Sequence, residues 1–401
     1  MEFRFTPEEE KFRGEIREFL RRELPADWGG AGALGEAGEE RWEFLRSFQG
    51  KLAERRWLTL GWPEEHGGLA ASHMMQVIYS EEMTYFRAPT QIGVGPDRVG
   101  PTIILYGSDD QRRRHLPGIA AGETVWCQGF SEPSAGSDLA SLQTSAVAEG
   151  DYFVVNGQKI WTSLAHRADW CILLARTDPE APKHKGISYF LLDMRTPGVD
   201  VRPLVDMTGR HTFNELFFDN VRVPRDCLVG ELNRGWYIAA ATLDFERSGI
   251  NRVVAGMRTF EDLVEYAAQK KVNGPSAALG TGRRLIDEPG VRPKLGELAI
   301  EFSVGRLLAY RVASMQARGQ IPNAEASMSK LYGSELQQRL ASAGLAILGL
   351  AGQLEPESSH APLAGRLEQF YLLASALTVA AGTSEIQRGI IAGRGLGLPR
   401  G

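Results

Sequence analysis

Hydrophobic positions recur along this chain at two periods, and the switches between them divide it into three. Near the start, Thr6, Pro7 and Glu9 supply the N-cap, first-turn proline and third-position acid of a helix, and Phe12, Ile16, Phe19 and Leu20 then repeat at three-and-four spacing. Further helices are predicted over Glu39 to Glu54, Ser72 to Thr84 and Asp109 to Ala121. Turn-rich pieces such as Gly61-Trp62-Pro63 and Glu65-His66-Gly67-Gly68 separate them. Residues 1–123 therefore read as an α-helical domain.

From Thr124 the texture changes. Residues 125–130, 152–157, 169–176, 187–194 and 213–224 are short runs rich in aromatic and β-branched side chains, bounded by Gly, Asp, Asn and Pro. Short loops and not helices join them, so an antiparallel barrel or sandwich over 124–234 fits better than a parallel doubly wound sheet. Beyond Gly235 the helical period returns near 235–270, 291–318, 324–350 and 364–396, which predicts an antiparallel bundle over 235–401. The stretch from Asn273 to Arg284, with Gly-Pro and Gly-Thr-Gly, is its most loop-like interruption. The fold class is α+β multidomain.

Composition narrows the function. With 401 residues, 43% apolar and 24% charged, the chain suits two or three globular domains. Its 45 basic and 50 acidic residues give a net charge of -5, too mild for electrostatic binding to nucleic acid or anionic lipid. An anionic ligand must be met by local groups. Cys127, Cys171 and Cys227 follow no metal-ligand spacing and read as reduced core thiols, so neither a structural metal nor a disulfide framework is expected. The acidic N-terminus and the lack of a run of about 20 apolar residues point to a cytoplasmic protein without a membrane span.

Four segments could carry chemistry. Gly129 to Asp138 is an irregular polar loop directly after a strand. Its small residues let backbone N–H groups approach a phosphate, and Ser131 and Ser137 add hydroxyls. The same loop could simply cap its own turns. Lys159 to Ser163 brings an indole and hydroxyls to a hairpin starting at Asn156-Gly157. Trp161 could stack on a flat ring or fill the core. Glu246 falls in register with Leu243, Ile250, Val253, Met257, Phe260 and Val264, an apolar stripe that would desolvate a carboxylate and raise its pKa as a general base requires. Pairing with Arg247 or another helix is the alternative. Ala380 to Arg388 is a small-residue turn leading into a helix.

Together these residues resemble the acyl-CoA dehydrogenase family, with its Ser-Glu-Pro-x-x-Gly-Ser-Asp loop at Ser131 to Asp138 and its Gly-Thr-Ser-x-Ile-Gln-Arg turn at Gly382 to Arg388. Gly61-Trp62-Pro63, Gly100-Pro101-Thr102, Val223-Pro224, Leu228-Val229-Gly230-Glu231 and Leu396-Gly397-Leu398-Pro399 extend the match along nearly the whole chain. The resemblance implies an α-helical domain, a β-domain and a C-terminal four-helix bundle, FAD as cofactor, and a homotetramer built as a dimer of dimers. It implies that Gln128, Phe130, Ser131, Ser137, Trp161, Ser163, Thr383 and Glu385 contact FAD, and that Ser137 and Arg247 meet the substrate. The implied reaction is α,β-dehydrogenation of an acyl-CoA thioester to the trans-2-enoyl-CoA, with electrons passed to an electron-transfer flavoprotein.

The sequence also departs from the family. Where many members place the base, directly before the Gly-Thr-Ser turn, this chain has Ala381. Other members hold the base on the long helix as a Glu followed by Arg, and Glu246-Arg247 matches that position. Ala381 keeps its backbone N–H, which can bond the thioester carbonyl. The expected Gln-x-x-Gly-Gly segment reads Ala346-Ile347-Leu348-Gly349-Leu350, and no Arg-x-x-Phe-Gly is recognisable from Lys270 to Ala278. A flavoprotein oxidase or monooxygenase of the same fold, or a non-catalytic partner subunit of a hetero-oligomeric dehydrogenase, are the competing readings.

Overall fold

The computed structural model describes residues 4–30, 38–247, 249–272 and 283–399, with side chains over 243–247 excluded. Helices α1 (Pro7–Glu23), α2 (Glu39–Glu54), α3 (His73–Tyr85), α4 (Gly100–Tyr106) and α5 (Asp109–Ala120) come first. Strands β1 (Trp126–Gly129), β2 (Ser145–Glu149), β3 (Tyr152–Lys159), β4 (Trp170–Arg176), β5 (Ile187–Asp193), β6 (Val199–Val205) and β7 (His211–Pro224) follow. Helices α6 (Gly235–Arg247), α7 (Asn251–Gln269), α8 (Val291–Ala317), α9 (Asn323–Leu348), α10 (Arg366–Leu377) and α11 (Ser384–Ile390) close the chain. Of the loop predicted from Asn273 to Arg284, residues 273–282 lie outside the described residues. No described helix is long and apolar enough to cross a membrane.

The start of α1 follows its sequence. Thr6 Oγ1 accepts from the Glu9 N–H at 3.2 Å while the Glu9 carboxylate accepts from the Thr6 N–H at 2.7 Å, so two otherwise orphaned donors are satisfied reciprocally. Phe12, Ile16, Phe19 and Leu20 are buried, as their spacing predicts.

By packing, the chain forms two compact units that cut across its linear order. One joins Met1–Leu20, His73–Arg87 and Arg247–Gly401, with α3 packed on α7 and α8. Its core includes Val253, Leu263, Leu298, Phe302, Leu336 and Leu340. A buried ionic network also crosses it. Arg13 bridges Glu81 and Glu82 at 3.0 and 2.6 Å, and Arg306 and Tyr310 close on Glu81.

The other unit joins Arg21–Ser72 and Ala88–Glu246. Its seven-stranded sheet runs β1-β4-β2-β3-β7-β6, with β5 paired to β4. Most pairs are antiparallel, as the short joins predict, but β1 lies parallel to β4 over four residue pairs. Ile187, Ser188, Tyr189, Phe190, Leu191 and Leu192 of β5 are all buried, which explains why that strand is a continuous run without alternation. Each fully buried aliphatic or Phe side chain there contributes about 1.5–3 kcal/mol. Two motifs of the helical part meet in this unit. A Cβ on Gly100 would lie 1.7 Å from the Trp62 ring, so only glycine lets α4 approach the indole.

Three sequence expectations are corrected. Asn156-Gly157 does not begin a hairpin but lies inside β3, where the register to β7 shifts between Val155 and Gly157. Gly157 adopts φ +147 at this bulge, against Thr144, so the glycine serves a kink and not a turn. The helix predicted over 235–270 is two helices, α6 and α7, with Gly249 in the break. The stripe from Leu243 to Val264 is consequently not one face of one helix. Likewise, the helix predicted over 364–396 is divided into α10, a turn and α11.

Candidate active site

In the β-domain unit the polar loop is built on a buried ion pair. Glu132 and Ala135 exchange backbone hydrogen bonds at 3.1 and 3.0 Å, which folds the loop tightly and leaves Pro133, Ser134, Gly136 and Ser137 exposed. The Glu132 carboxylate points inward, accepting from Lys159 Nζ at 2.8 Å and from the N–H groups of Gln143 and Thr144 at 2.6 and 2.9 Å. Lys159 also donates to the Phe130 carbonyl at 3.1 Å, and the Ile160 N–H to the Ser131 carbonyl at 2.9 Å. These bonds join the loop to the segment carrying Trp161. Burial pulls the Lys159 ammonium down to about 8 against the attraction of Glu132, so the lysine is still charged at neutral pH. Burial alone would raise the Glu132 pKa, but the Lys159 charge and the donated hydrogen bonds outweigh it and hold the carboxylate below its ordinary range.

Trp161 follows β3 with φ +62 and is 55% exposed, its edge against Phe213 at 5.6 Å. This overturns the alternative of a core tryptophan. The backbone then re-enters the sheet, where Thr162 and Asn214 exchange N–H to carbonyl bonds at 3.0 Å each way, and Ser163 is exposed beyond. Phe130 is buried edge-on to Tyr189. Among the described residues, Gln128 Oε1 and Thr162 Oγ1 are buried without a hydrogen-bond partner. Exposed hydroxyls, an exposed indole, a buried aromatic and orphaned polar atoms suit a flat heteroaromatic ligand with a phosphate tail. Lys183 donates to the carboxylate of Asp138, the residue after Ser137, at 2.9 Å.

In the helical unit, the turn before α11 carries Ala381 at φ +56 and Gly382 at φ +89. Lys330 of α9 donates to the Gly382 carbonyl at 2.7 Å, and the Gln387 amide donates to the Ala381 and Gly382 carbonyls at 3.1 and 3.3 Å. The Thr383 hydroxyl caps α11 by accepting from the Ile386 N–H at 3.2 Å. Glu385 is exposed, its carboxylate held low first by its own backbone N–H and then by the Thr383 hydroxyl. The Glu246 and Arg247 backbones end α6, and their side chains lie outside the described residues. The supporting roles of Lys159, Lys330 and Gln387 leave no trace in the sequence, because a buried lysine or glutamine has no spacing signature.

The left-handed conformation of Ala381 has a measurable consequence. An L-residue there costs about 1–2 kcal/mol, partly offset on replacement by the greater unfolded-state freedom of glycine. Ala381→Gly is expected to raise stability by up to about 1 kcal/mol, read as a higher denaturant midpoint at unchanged slope. A lower midpoint would show that the methyl group packs usefully.

Among the described residues no group of three or more His, Cys, Asp or Glu could hold a metal ion, and all three cysteines are buried and free. The acyl-CoA dehydrogenase N-terminal, middle and C-terminal domain families match residues 6–123, 127–221 and 233–396. The acyl-CoA dehydrogenase IpdE1 of Mycobacterium tuberculosis (strain ATCC 25618 / H37Rv) is 38% identical over 396 residues, 98% of each chain. A solved steroid ACAD, Tcur3481-Tcur3483, superposes with a TM-score of 0.88 at 34% identity over 100% of both chains. The ChsE4-ChsE5 complex from Mycobacterium tuberculosis gives 0.85 at 36% identity, again over 100% of both. With the loop, the tryptophan segment and the C-terminal turn in place, the chain belongs to the acyl-CoA dehydrogenase family of FAD-dependent oxidoreductases.

Proposed function

We propose that this chain removes the α- and β-hydrogens of an acyl-CoA thioester whose acyl group is polycyclic, with Glu246 as the base, and that residues 1–123, 124–234 and 235–401 are its domains. The observation that carries the base assignment is Ala381, which leaves the position directly before the Gly-Thr-Ser turn without a carboxylate while Glu246-Arg247 stands at the end of α6. Glu246 takes the α-proton. The Ala381 N–H bonds the thioester carbonyl, whose oxygen gains charge as that proton leaves. Bound FAD supplies the two-electron acceptor for the β-hydrogen. Gln128, Phe130, Ser131, Ser137, Trp161, Ser163, Thr383 and Glu385 would hold the cofactor, Trp161 offering an aromatic face for its flat ring, and Ser137 and Arg247 would meet the substrate. An electron-transfer flavoprotein takes the electrons onward.

A polycyclic acyl group is supported by the steroid ACAD among the similar structures. The paired names of that protein and of the ChsE4-ChsE5 complex support an assembly with a second chain of this fold in place of a homotetramer. Ile300, Val304 and Leu307, exposed on one face of α8, give such a partner an apolar surface. A panel of straight-chain, branched and steroid acyl-CoA esters, mixed anaerobically with the FAD-loaded protein, tests the substrate class. Flavin bleaching is expected with the steroid esters, and bleaching by straight-chain esters alone would overturn the polycyclic assignment.

A further inference from the structure

We propose that Lys330 is a positioning residue for the dehydrogenation, fixing the turn at Ala381 to Thr383 so that its backbone N–H groups form the donor set for the thioester oxygen. This rests on the function proposed above. Lys330 lies on α9, is 1% exposed, and reaches across to the Gly382 carbonyl at 2.7 Å. Gln387, fully buried, draws the same carbonyl and that of Ala381 to the same side.

In a trans peptide the carbonyl of one residue and the N–H of the next point in opposite directions. With the Ala381 and Gly382 carbonyls turned toward Gln387 and Lys330, the N–H groups of Gly382 and Thr383 face the other way. Neither they nor the Ala381 N–H bond to an acceptor among the described residues. Successive N–H groups left free in a tight turn can converge on an anionic oxygen. The two consecutive positive φ angles, one at an alanine, turn the chain tightly here, and the lysine and glutamine contacts hold that turn.

The ammonium has a second effect. A carbonyl that accepts a charged hydrogen bond makes the N–H on the far side of its peptide a stronger donor, because the bonds polarise one another. A neutral group in the place of Lys330 would weaken that donor even if the turn kept its shape. Glu385 also senses this charge, which contributes to holding its carboxylate low.

The test uses full-length, FAD-loaded protein with Lys330→Met, which removes donor and charge, and Lys330→Gln, which keeps a donor. Fold and flavin absorbance are checked first. At saturating acyl-CoA the bleaching rate constant is expected to fall by about 10²–10³-fold in Lys330→Met, with a smaller loss in Lys330→Gln, while the dissociation constant for the ester changes far less. A folded, FAD-loaded Lys330→Met that bleaches at the wild-type rate overturns the proposal, as does a loss confined to binding. Should Lys330→Met not fold, Gln387→Leu is measured on the same scale, and an unchanged rate there overturns it equally. Should no ester bleach the wild-type protein, the dehydrogenase function itself fails. Amide exchange of the 381–383 segment then decides the positioning role, expected to be faster in Lys330→Met and overturning it if unchanged.

Discussion

Glu246→Gln is expected to lower the rate of acyl-CoA-dependent flavin bleaching by at least about 10²–10⁴-fold, the contribution of a positioned general base, and to leave the flavin spectrum as it was. The amide has the size of the carboxylate but does not take a proton at any working pH. A thioester α-proton is too weakly acidic for a free glutamate, so the rate depends on the base and the oxygen donors acting together. No other carboxylate stands at the C-terminal turn in the place many relatives use, because Ala381 occupies it. Stopped-flow absorbance checks the prediction directly. Unchanged bleaching would remove Glu246 from the mechanism.

Lys159→Met is expected to destabilise the β-domain unit by about 3–5 kcal/mol, because it strands the Glu132 carboxylate in the core without its ammonium. Lys159 is 0% exposed and its partner 6%, so water cannot replace the lost contact. The double variant Lys159→Met with Glu132→Gln should recover part of the loss, and chemical denaturation of the four proteins measures the coupling. The pair also predicts a pH dependence. Glu132 is held below the ordinary 4.5, so it contributes stability that is fully present above that value and lost as pH falls through its lower folded value. Thermal melts at descending pH should show an acid-side loss that flattens in Glu132→Gln. An identical slope in both proteins would show that other carboxylates govern acid unfolding.

Local signals that act over a few residues were legible in the sequence. The Thr6 and Glu9 capping pair, the spacing of Phe12 to Leu20 and the apolar run of β5 each follow from neighbours along the chain. Asn156-Gly157 misled for a physical reason. The same pair that favours a two-residue hairpin also permits a bulge, and only contact with Thr144 decides between them. The break between α6 and α7 was hidden because apolar spacing continues across it, although the helix does not.

The candidate site divides the same way. Its exposed groups Ser137, Trp161 and Glu385, and the half-buried Ser131 and Thr383, sit in motifs that sequence alone singled out. What shapes those motifs was not legible. Glu132 and Lys159 are separated by 27 residues, and Lys330 and Gly382 by 52, so no periodicity ties them. Charged and amide side chains ordinarily read as surface. Only the fold reveals that these are buried, and burial is what turns them into fixed supports for the loop and the turn.

The most direct test of FAD-dependent acyl-CoA dehydrogenation is an anaerobic single turnover of the FAD-loaded protein with one equivalent of a steroid acyl-CoA, followed by mass spectrometry of the ester. The flavin should bleach and the ester emerge two hydrogens lighter, as the α,β-unsaturated thioester. A flavin that stays oxidised beside an ester of unchanged mass, with this and every other acyl-CoA in the panel, would contradict it.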